Sequence, residues 1–577
     1  MTVSWSGSRL AKSLLIALIC LVFIAPILIG LIGTWLPALG YLPGLNSNYD
    51  SSRYLSLDAM AQVFAHPSTV ASLKLSVGSA LSATFIAFVL SQWLCLNLYR
   101  SALWGVLKHS IAPLLAIPHL AFSVGLVFLI SPSGWLMRLV SPVLTGMSIP
   151  PDWLIVNDTY AASLTLGLVL KETPFFLLMS LSALSRFEHQ KTLQIAASLG
   201  YSHPVAWQKL IFPQMYPQLR LPMLAVLSYS LSVIDISLVL GPNAPATFAV
   251  LVNQWFGHSD LNFRYLGAAG ASLLLLLVLM FILLLYIIEV FLKKATKSWL
   301  VAGAKDLAKE VVSQWMAKVT LFFMLLVSVG CMAGLLVWSF SQRWRFPDAL
   351  PELYSLKYWQ KSGLQLLEPL QNTAIIGISS ALIAVLICIA LLQWQSKVQL
   401  GSAKPGFKKS LLWLIYVPML VPQVSFLFGV QVLMVRLNLD GQLLSVIWIH
   451  LLFVMPYAYL TLAQVYLRFD ERYLQQASIL CQSKWRAFIY VKLPMLFKPI
   501  AFSFAVAFAV SVAQYLPTLY IGAGRVNTIT LESVVLAGGS DARVSAVFAL
   551  WQFILPLIVY VAALVIPQIC FRNRREL

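Results

Sequence analysis

The chain alternates long apolar runs with short polar segments. Apolar runs recur near positions 14–36, 73–96, 110–130, 158–180, 219–240 and 266–291, and again near 318–340, 371–392, 411–435, 444–465, 499–521 and 546–570. A helix of about 20 residues crosses about 30 Å of hydrocarbon. The pattern predicts an all-α polytopic membrane protein with about 12 transmembrane helices, six on each side of a charged connection. Several runs contain Pro or Gly, as in LLAIPHLAFSVGLVF and IYVPMLVPQVSFLFGV. Membrane helices tolerate such breaks where neighbouring groups satisfy the freed backbone.

Composition turns this pattern into an exclusion. Of 577 residues, 60% are hydrophobic and 10% charged, against about 25% charged in soluble domains. A soluble enzyme is excluded. The net charge of +19 invites a nucleic-acid reading until its distribution is followed. With the N-terminus inside, 27 Lys or Arg fall on the cytoplasmic side and 11 outside, with Lys171 in or near the membrane. Lys293, Lys294, Lys297, Lys404, Lys408, Lys409, Arg572, Arg574 and Arg575 all join the inner group. Retained loops are enriched in Lys and Arg, so both termini are expected inside, with no nucleic-acid partner. Arg9 and Lys12 precede the first run, as in a signal peptide. The run's length and the many spans that follow favour an uncleaved first helix. Cys20, Cys95, Cys331, Cys388, Cys481 and Cys570 form no CxxC pair and read as free thiols, with no zinc site.

The sequence also repeats itself. Val77–Leu90 resembles Ile378–Leu391, and Pro118 and Gly125 correspond to Pro422 and Gly429. Pro174 beside Phe175 matches Pro456 beside Tyr457, Pro213 matches Pro494, and Ser232-Val233 matches Ser511-Val512. These pairs predict two related, parallel membrane halves, 1–291 and 318–577, joined by a partly helical cytoplasmic linker at 292–317. Parallel repeats of this kind suit a transport path between the halves.

The most specific pair of segments lies between the fourth and fifth runs of each half. They read LQIAASLGYSHPVAWQKLIFPQMYP (193–217) and LQQASILCQSKWRAFIYVKLPMLFKP (474–499). Each opens with a short helical stretch of small residues and ends in Phe-Pro or Leu-Pro. Trp207 and Phe488 each stand seven residues after Gly200 and Cys481. A membrane-surface amphipathic helix also uses aromatic and basic residues, but recurrence at matching places favours a repeated docking element.

These segments resemble the EAA coupling loops of binding-protein-dependent ABC importer permeases: EAA, three residues, Gly, nine residues, Ile, one residue, Leu-Pro. Gln194, Ile195 and Ala196 stand at the EAA positions, Gly200 at the glycine, and Leu210, Phe212 and Pro213 at the closing positions. In the second copy these are Gln475, Gln476, Ala477, Cys481, Val491, Leu493 and Pro494. Both copies lack the Glu, and Cys481 replaces a Gly that would permit a left-handed turn. The second loop is therefore expected to turn differently, and the first to couple more tightly. The resemblance covers essentially the whole chain. It extends to fused permeases of the type I fold, such as the ferric-iron and thiamine permeases and YnjC-like proteins.

That resemblance implies a bacterial inner-membrane permease subunit of an ATP-driven importer. Two cytoplasmic ABC ATPase subunits, binding ATP and Mg²⁺, would receive the loops. A periplasmic substrate-binding protein would deliver a small solute from outside, and phospholipid would surround the chain. No GxxxxGK[ST] phosphate loop is present in the sequence, so no ATPase activity, catalytic residue, bound cofactor or resident metal is expected of this chain. An ion-gradient-driven secondary transporter is the alternative.

Intramembrane ionisable residues are costly and mark pathways. Asp235 in SLSVIDISLVLG and its repeat partner Gln514 in AVSVAQYLPTLY are the pathway candidates. Asp235 would either face a cationic solute or bond structurally to another helix. Glu172, beside Lys171 and Pro174, reads as part of a kinked helix or a local ion pair, and Glu289 as a local partner of Lys293. Gly241, Pro242 and Asn243 correspond to Gly522–Gly524, as an outer gate or simple turns. Tyr229 and Tyr515 read equally as membrane-interface anchors. The solute itself is not encoded in any of these motifs.

Overall fold

The structure, a computed structural model, describes residues 23–41, 56–99, 101–303, 305, 310–400, 414–539 and 541–571. Arg9, Lys12, Cys20, Lys404, Lys408, Lys409, Arg572, Arg574 and Arg575 lie outside the described residues.

The principal helices are α1 (Ala25–Ala38), α2 (Thr69–Leu98), α3 (His119–Ile130), α4 (Ala162–Leu184), α5 (Phe212–Ser232) and α6 (Phe263–Ala295). They continue as α7 (Glu310–Phe340), α8 (Lys357–Leu400), α9 (Val424–Arg436), α10 (Leu443–Tyr466), α11 (Phe497–Val512) and α12 (Ala542–Cys570). A two-stranded hairpin, Ser341–Arg343 with Leu353–Tyr354, follows α7. The fold is all-α apart from this hairpin and a single bridge between Asn243 and Ala246 among the described residues.

Among the described residues, eight helical spans are long and apolar enough to cross a membrane, and ten if each of two sharply bent pairs forms one span. Within those residues, length and composition do not reach the expected twelve. Described α1 has only 14 residues. The apolar run predicted at 219–240 is divided: α5 begins in the polar sequence FPQMYPQLR and ends at Ser232, and a separate helix, Asp235–Leu240, follows. Val233 is extended, at φ −67 and ψ 130. The 499–521 run divides in the same place, α11 ending at Val512 and a short helix running from Leu516 to Gly522. Pro517 occupies the first turn of that helix, where its missing N–H costs nothing.

Packing repeats along the chain. Helix α2 packs on α4 and α5 as α8 packs on α10 and α11. Helix α1 crosses to α9, and α7 crosses to α3. At the first crossing Gly33 meets Gly429, and at the second Gly125 meets Cys331. Small residues let membrane helices approach closely where packing, not hydrophobic exclusion, drives association.

The buried core joins both sets of helices, with Phe256 and Phe428 stacked at 4.3 Å between ring centroids. Tyr520 OH also donates to Asn253 Oδ1 at 3.1 Å. Beyond α6 the connection continues as a short helix, Lys297–Val301.

Candidate functional site

The two loop segments follow one path. Each begins with a ten-residue helix, His189–Ser198 or Glu471–Leu480, turns into a short helix, and passes through a π-helical turn before α5 or α11. The π turns are Trp207–Ile211 and Phe488–Lys492. The feet of α4 and α10 bring these loops together: Arg468 Nη2 donates to Ser185 O at 2.7 Å, and Gln464 bonds Ser182.

Among the EAA positions, Ala196 and Ala477 are buried, while Gln194, Ile195, Gln475 and Gln476 are exposed. Their small side chains seat the helix; the flanking residues face outward. Gly200 has φ +80, and the Gly200 and Tyr201 amides donate to Ala197 O and Ala196 O. That is a Schellman ending, whose left-handed residue is usually Gly. In the second loop Cys481 has φ −82 and stays helical. The left-handed residue is Gln482, at φ 51, with its amide on Ile479 O. The helix thus runs one residue further before turning.

The aromatic pair diverges as well. Trp207 is buried against Tyr99 and His203, whereas Phe488 is half-buried and stacks on exposed Trp485 at 5.7 Å. Leu210 and Pro213 are exposed, and Phe212, Val491, Leu493 and Pro494 are half-buried. The two loops are also clamped differently. Buried Lys492 donates to Glu471 at 2.5 Å and sits over the Tyr466 ring at 4.6 Å. Its loop-one counterpart is buried Ile211. Loop one instead receives the segment after α6: Ser202 N donates to Lys305 O at 2.8 Å, and Lys209 Nζ to Ala302 O at 2.5 Å. Sequence spacing could not find these clamps because their partners lie far apart or outside the motif.

Behind the loops, a cavity of about 410 Å³ separates the two helix sets. Its lining reaches from Lys108 and Leu181 to Tyr229, Asp235, Gln423, Tyr457, Gln514 and Tyr515. Asp235 and Gln514 therefore share one cavity, and Gln423 Nε2 approaches Gln514 Oε1 at 3.4 Å. Asp235 opens the helix Asp235–Leu240, where its carboxylate accepts from the Ile236 amide and has His119 as a nearby cation. Tyr229 and Tyr515 line the same cavity.

The neighbouring charges are otherwise engaged. Pro118 interrupts the chain between Leu103–Ala116 and α3. Buried Lys171 repairs the break, its Nζ donating to Leu114 O at 2.9 Å and Ile117 O at 2.7 Å. Glu172 pairs with His119 Nε2 at 3.2 Å rather than with Lys171. His119 also packs edge-on to Tyr229 at 5.4 Å. Glu289 is likewise not a partner of Lys293: it binds Arg220 at 2.6 Å and Tyr216 OH at 2.8 Å on α5. An i,i+4 contact along one exposed helix is weak, while α5 offers a cation and a hydroxyl to a buried carboxylate.

His119, Lys171, Gln423 and Tyr457 were missed by sequence reasoning as cavity residues. A signal existed for two of them: His119 follows Pro118 as Gln423 follows Pro422. At the opposite ends of these helices, Gly241 O accepts from Asn157 Nδ2 at 2.6 Å, and Ala523 and Gly524 make a left-handed turn at φ 48 and 72. No group of three or more His, Cys, Asp or Glu suited to a metal occurs among the described residues.

Comparison with known proteins agrees with this architecture. Residues 401–571 match the family described as "Binding-protein-dependent transport system inner membrane component". The chain is also 30% identical over 508 residues to the "Inner membrane ABC transporter permease protein YnjC" of Escherichia coli (strain K12). That alignment covers 88% of this chain and 90% of the relative. A multi-pass membrane architecture, paired loops and this relationship lead to one conclusion: the chain belongs to the family of binding-protein-dependent ABC transporter permeases.

Proposed function

We propose that this chain is the transmembrane permease subunit of an ATP-driven importer. It translocates a small solute delivered by a periplasmic binding protein and is coupled to two cytoplasmic ABC ATPase subunits. In this reading 1–291 and 318–577 are six-helix halves joined by 292–317. Helices α1 and α5 then complete the twelve spans that length and composition alone leave at ten, and both termini lie in the cytoplasm.

The observation that carries the reading is the recurrence of one helix–turn–π path in two loops whose supporting helices meet. Exposed apolar side chains project from both: Ile195 and Leu199 from the first, and Ile479, Leu480, Trp485 and Tyr490 from the second. Such surface suits insertion into a partner's clefts. ATP-driven closure of the ATPase pair would draw the loops together and reorient the cavity between the halves. The driving requirement is that ATP favour one arrangement over the other, because equal affinity for both shifts nothing.

Reconstitution in proteoliposomes tests this reading. Uptake should require the ATPase, ATP and the external binding protein together. Uptake by the chain alone under an ion gradient would support the secondary-transporter alternative and overturn ours. Docking strength is tested by crosslinking loop cysteines to the ATPase. The larger exposed apolar surface on the second loop, and the connection resting on the first, favour second-loop docking at least as strong as first-loop docking. The glycine argument alone favours the reverse ranking.

A further inference from the structure

We propose that the segment after α6 is a membrane-surface strut: its lysines dock on anionic lipid headgroups of the cytoplasmic leaflet, and the segment thereby holds the first loop in place. The loop's purpose rests on the permease reading; the lipid partner goes beyond it.

The strut grows out of a lipid-facing helix. Leu276, Met280, Leu283, Ile287 and Phe291 on α6 are all exposed, and their three- and four-residue spacing puts them on one stripe. Lys294 continues that stripe. Lys293, Lys294 and Lys297 are exposed and make no ion pair among the described residues. The acid before them, Glu289, is engaged by Arg220, and no Asp or Glu stands between Val290 and Lys305. Trp299, Leu300 and Val301 add exposed apolar side chains directly behind the lysines. Lysine beside tryptophan and leucine suits the headgroup boundary, and each lysine there adds attraction to anionic lipid. Continuity with the lipid-facing stripe favours the bilayer over a protein as the occupant of this surface.

Cytoplasmic lysines are ordinary in membrane proteins; the attachment to the first loop is not. Ser202 N donates to Lys305 O at 2.8 Å, and Lys209 Nζ donates to Ala302 O at 2.5 Å. Ser202 stands just before the short helix His203–Ala206, and Lys209 lies in the π turn just after it. The two bonds therefore bracket that helix. Lys209 Nζ also lies 5.2 Å from the centre of the Trp299 ring, and Lys305 Nζ 5.7 Å from that of Tyr201, both cation–π contacts. A Cβ on Gly200 would stand 3.7 Å from Lys305 Nζ, so the strut passes beside the motif glycine. The second loop is held from within, by Glu471 and Lys492. The first thus depends on a segment outside itself, and whatever binds that segment in its ordered arrangement favours the loop's arrangement too.

The test uses the purified full-length chain in nanodiscs of phosphatidylcholine alone, or of equal parts phosphatidylcholine and phosphatidylglycerol, read by amide hydrogen exchange. Phosphatidylglycerol should slow exchange over 199–211 about tenfold and leave 471–492 unchanged. Added salt should remove most of the slowing. The triple variant Lys293→Gln, Lys294→Gln, Lys297→Gln should exchange alike in both discs. Equal exchange of the unmodified chain in the two lipids would overturn the proposal, and this comparison needs no variant. Equal slowing of both loops would overturn it as well, by showing a general effect of the lipid. If exchange ignores the lipid while the triple variant loses ATPase binding, the lysines serve a protein partner and the lipid strut fails. Coupling to the ATPase is measured separately in the same discs. A chain that never couples sinks the permease reading, whereas the lipid dependence of exchange is read with no ATPase present.

Discussion

Gly33 and Gly429 lie back to back where α1 crosses α9, so close that a Cβ on Gly33 would come within 2.8 Å of the Gly429 Cα. The related crossing of α7 over α3 leaves no more room: a Cβ on Gly125 would lie 2.7 Å from Cys331 O. Both obstacles are backbone or directly attached atoms and cannot swing away. Valine at Gly429 or Gly125 should therefore cost about 1–3 kcal/mol or more through overpacking. Gly78, where a Cβ meets nothing within 4 Å, is the control. Its replacement by Ala should be neutral or stabilise α2 by up to about 1 kcal/mol. Thermal unfolding of the purified variants gives the ranking; equal melting of all three would refute the close-packing account.

Lys171 makes a second, independent prediction. Its ammonium satisfies Leu114 O and Ile117 O at the break before α3. Lys171→Met keeps the aliphatic stem and leaves both carbonyls without that donor, for a destabilisation of about 1–3 kcal/mol per orphaned group. Glutamine can restore one bond, so Lys171→Gln should fall between the two. A denaturation series on the three proteins checks the order.

These residues show how much could be read in advance. Apolar runs marked the membrane helices because hydrocarbon demands continuous apolar length. Paired prolines and glycines marked the repeat because they serve fixed backbone tasks at Pro118 and Pro422 or Gly125 and Gly429. The loop motif located both loops, and the substitution at Cys481 flagged a different turn. Neither periodicity nor spacing could reveal that α1 packs on α9, or that Glu289 reaches Arg220. Those contacts depend on which helices become neighbours. The division near Ser232 was hidden for another reason: Val233 and Ile234 are as apolar as the helix they interrupt, so hydropathy passes through the break unchanged.

Acid should loosen the start of α4. Asp158 accepts hydrogen bonds from the amides of Tyr160, Ala162 and Ser163 and from the Ser163 hydroxyl. Partial burial alone would raise its pKa, but these bonds outweigh it and hold the carboxyl below the ordinary 3.8. The stabilisation is thus fully present above that ordinary value and is lost as pH falls through the depressed native one. Melting temperature measured from about pH 5 down to about pH 2 should drop more steeply for the unmodified chain than for Asp158→Asn. Parallel curves would show that Asp158 contributes nothing.

The turn of the second loop carries backbone strain that glycine would remove. Gln482 stands at φ 51, a left-handed conformation costing a non-glycine residue roughly 1–2 kcal/mol. Gln482→Gly should therefore stabilise the loop by about 1 kcal/mol, observable as slower amide hydrogen exchange over Glu471–Leu480. Cys481→Gly, although it restores the motif residue, should loosen the loop, because Cys481 is helical with φ −82. Stabilisation by Cys481→Gly instead would place the left-handed residue one position earlier.

The Glu471–Lys492 clamp separates an ion pair's role from its net contribution. Lys492 is fully buried, and Glu471 is its carboxylate partner at 2.5 Å. Removing one member leaves the other charge poorly compensated, and breaking a buried pair costs about 3–5 kcal/mol. Partial exposure of Glu471 should reduce the cost of Lys492→Ile, while Glu471→Gln alone strands the buried ammonium and should show the full effect. Loop one supplies an uncharged solution at the same register, with Gln190 and Ile211 at the positions of Glu471 and Lys492. The double variant Glu471→Gln with Lys492→Ile should therefore recover much of the loss of the worse single variant, since apolar replacement of a buried pair is often neutral. Thermal unfolding of the double-mutant cycle measures the coupling. Additive losses would mean that the ion pair does not hold this loop together.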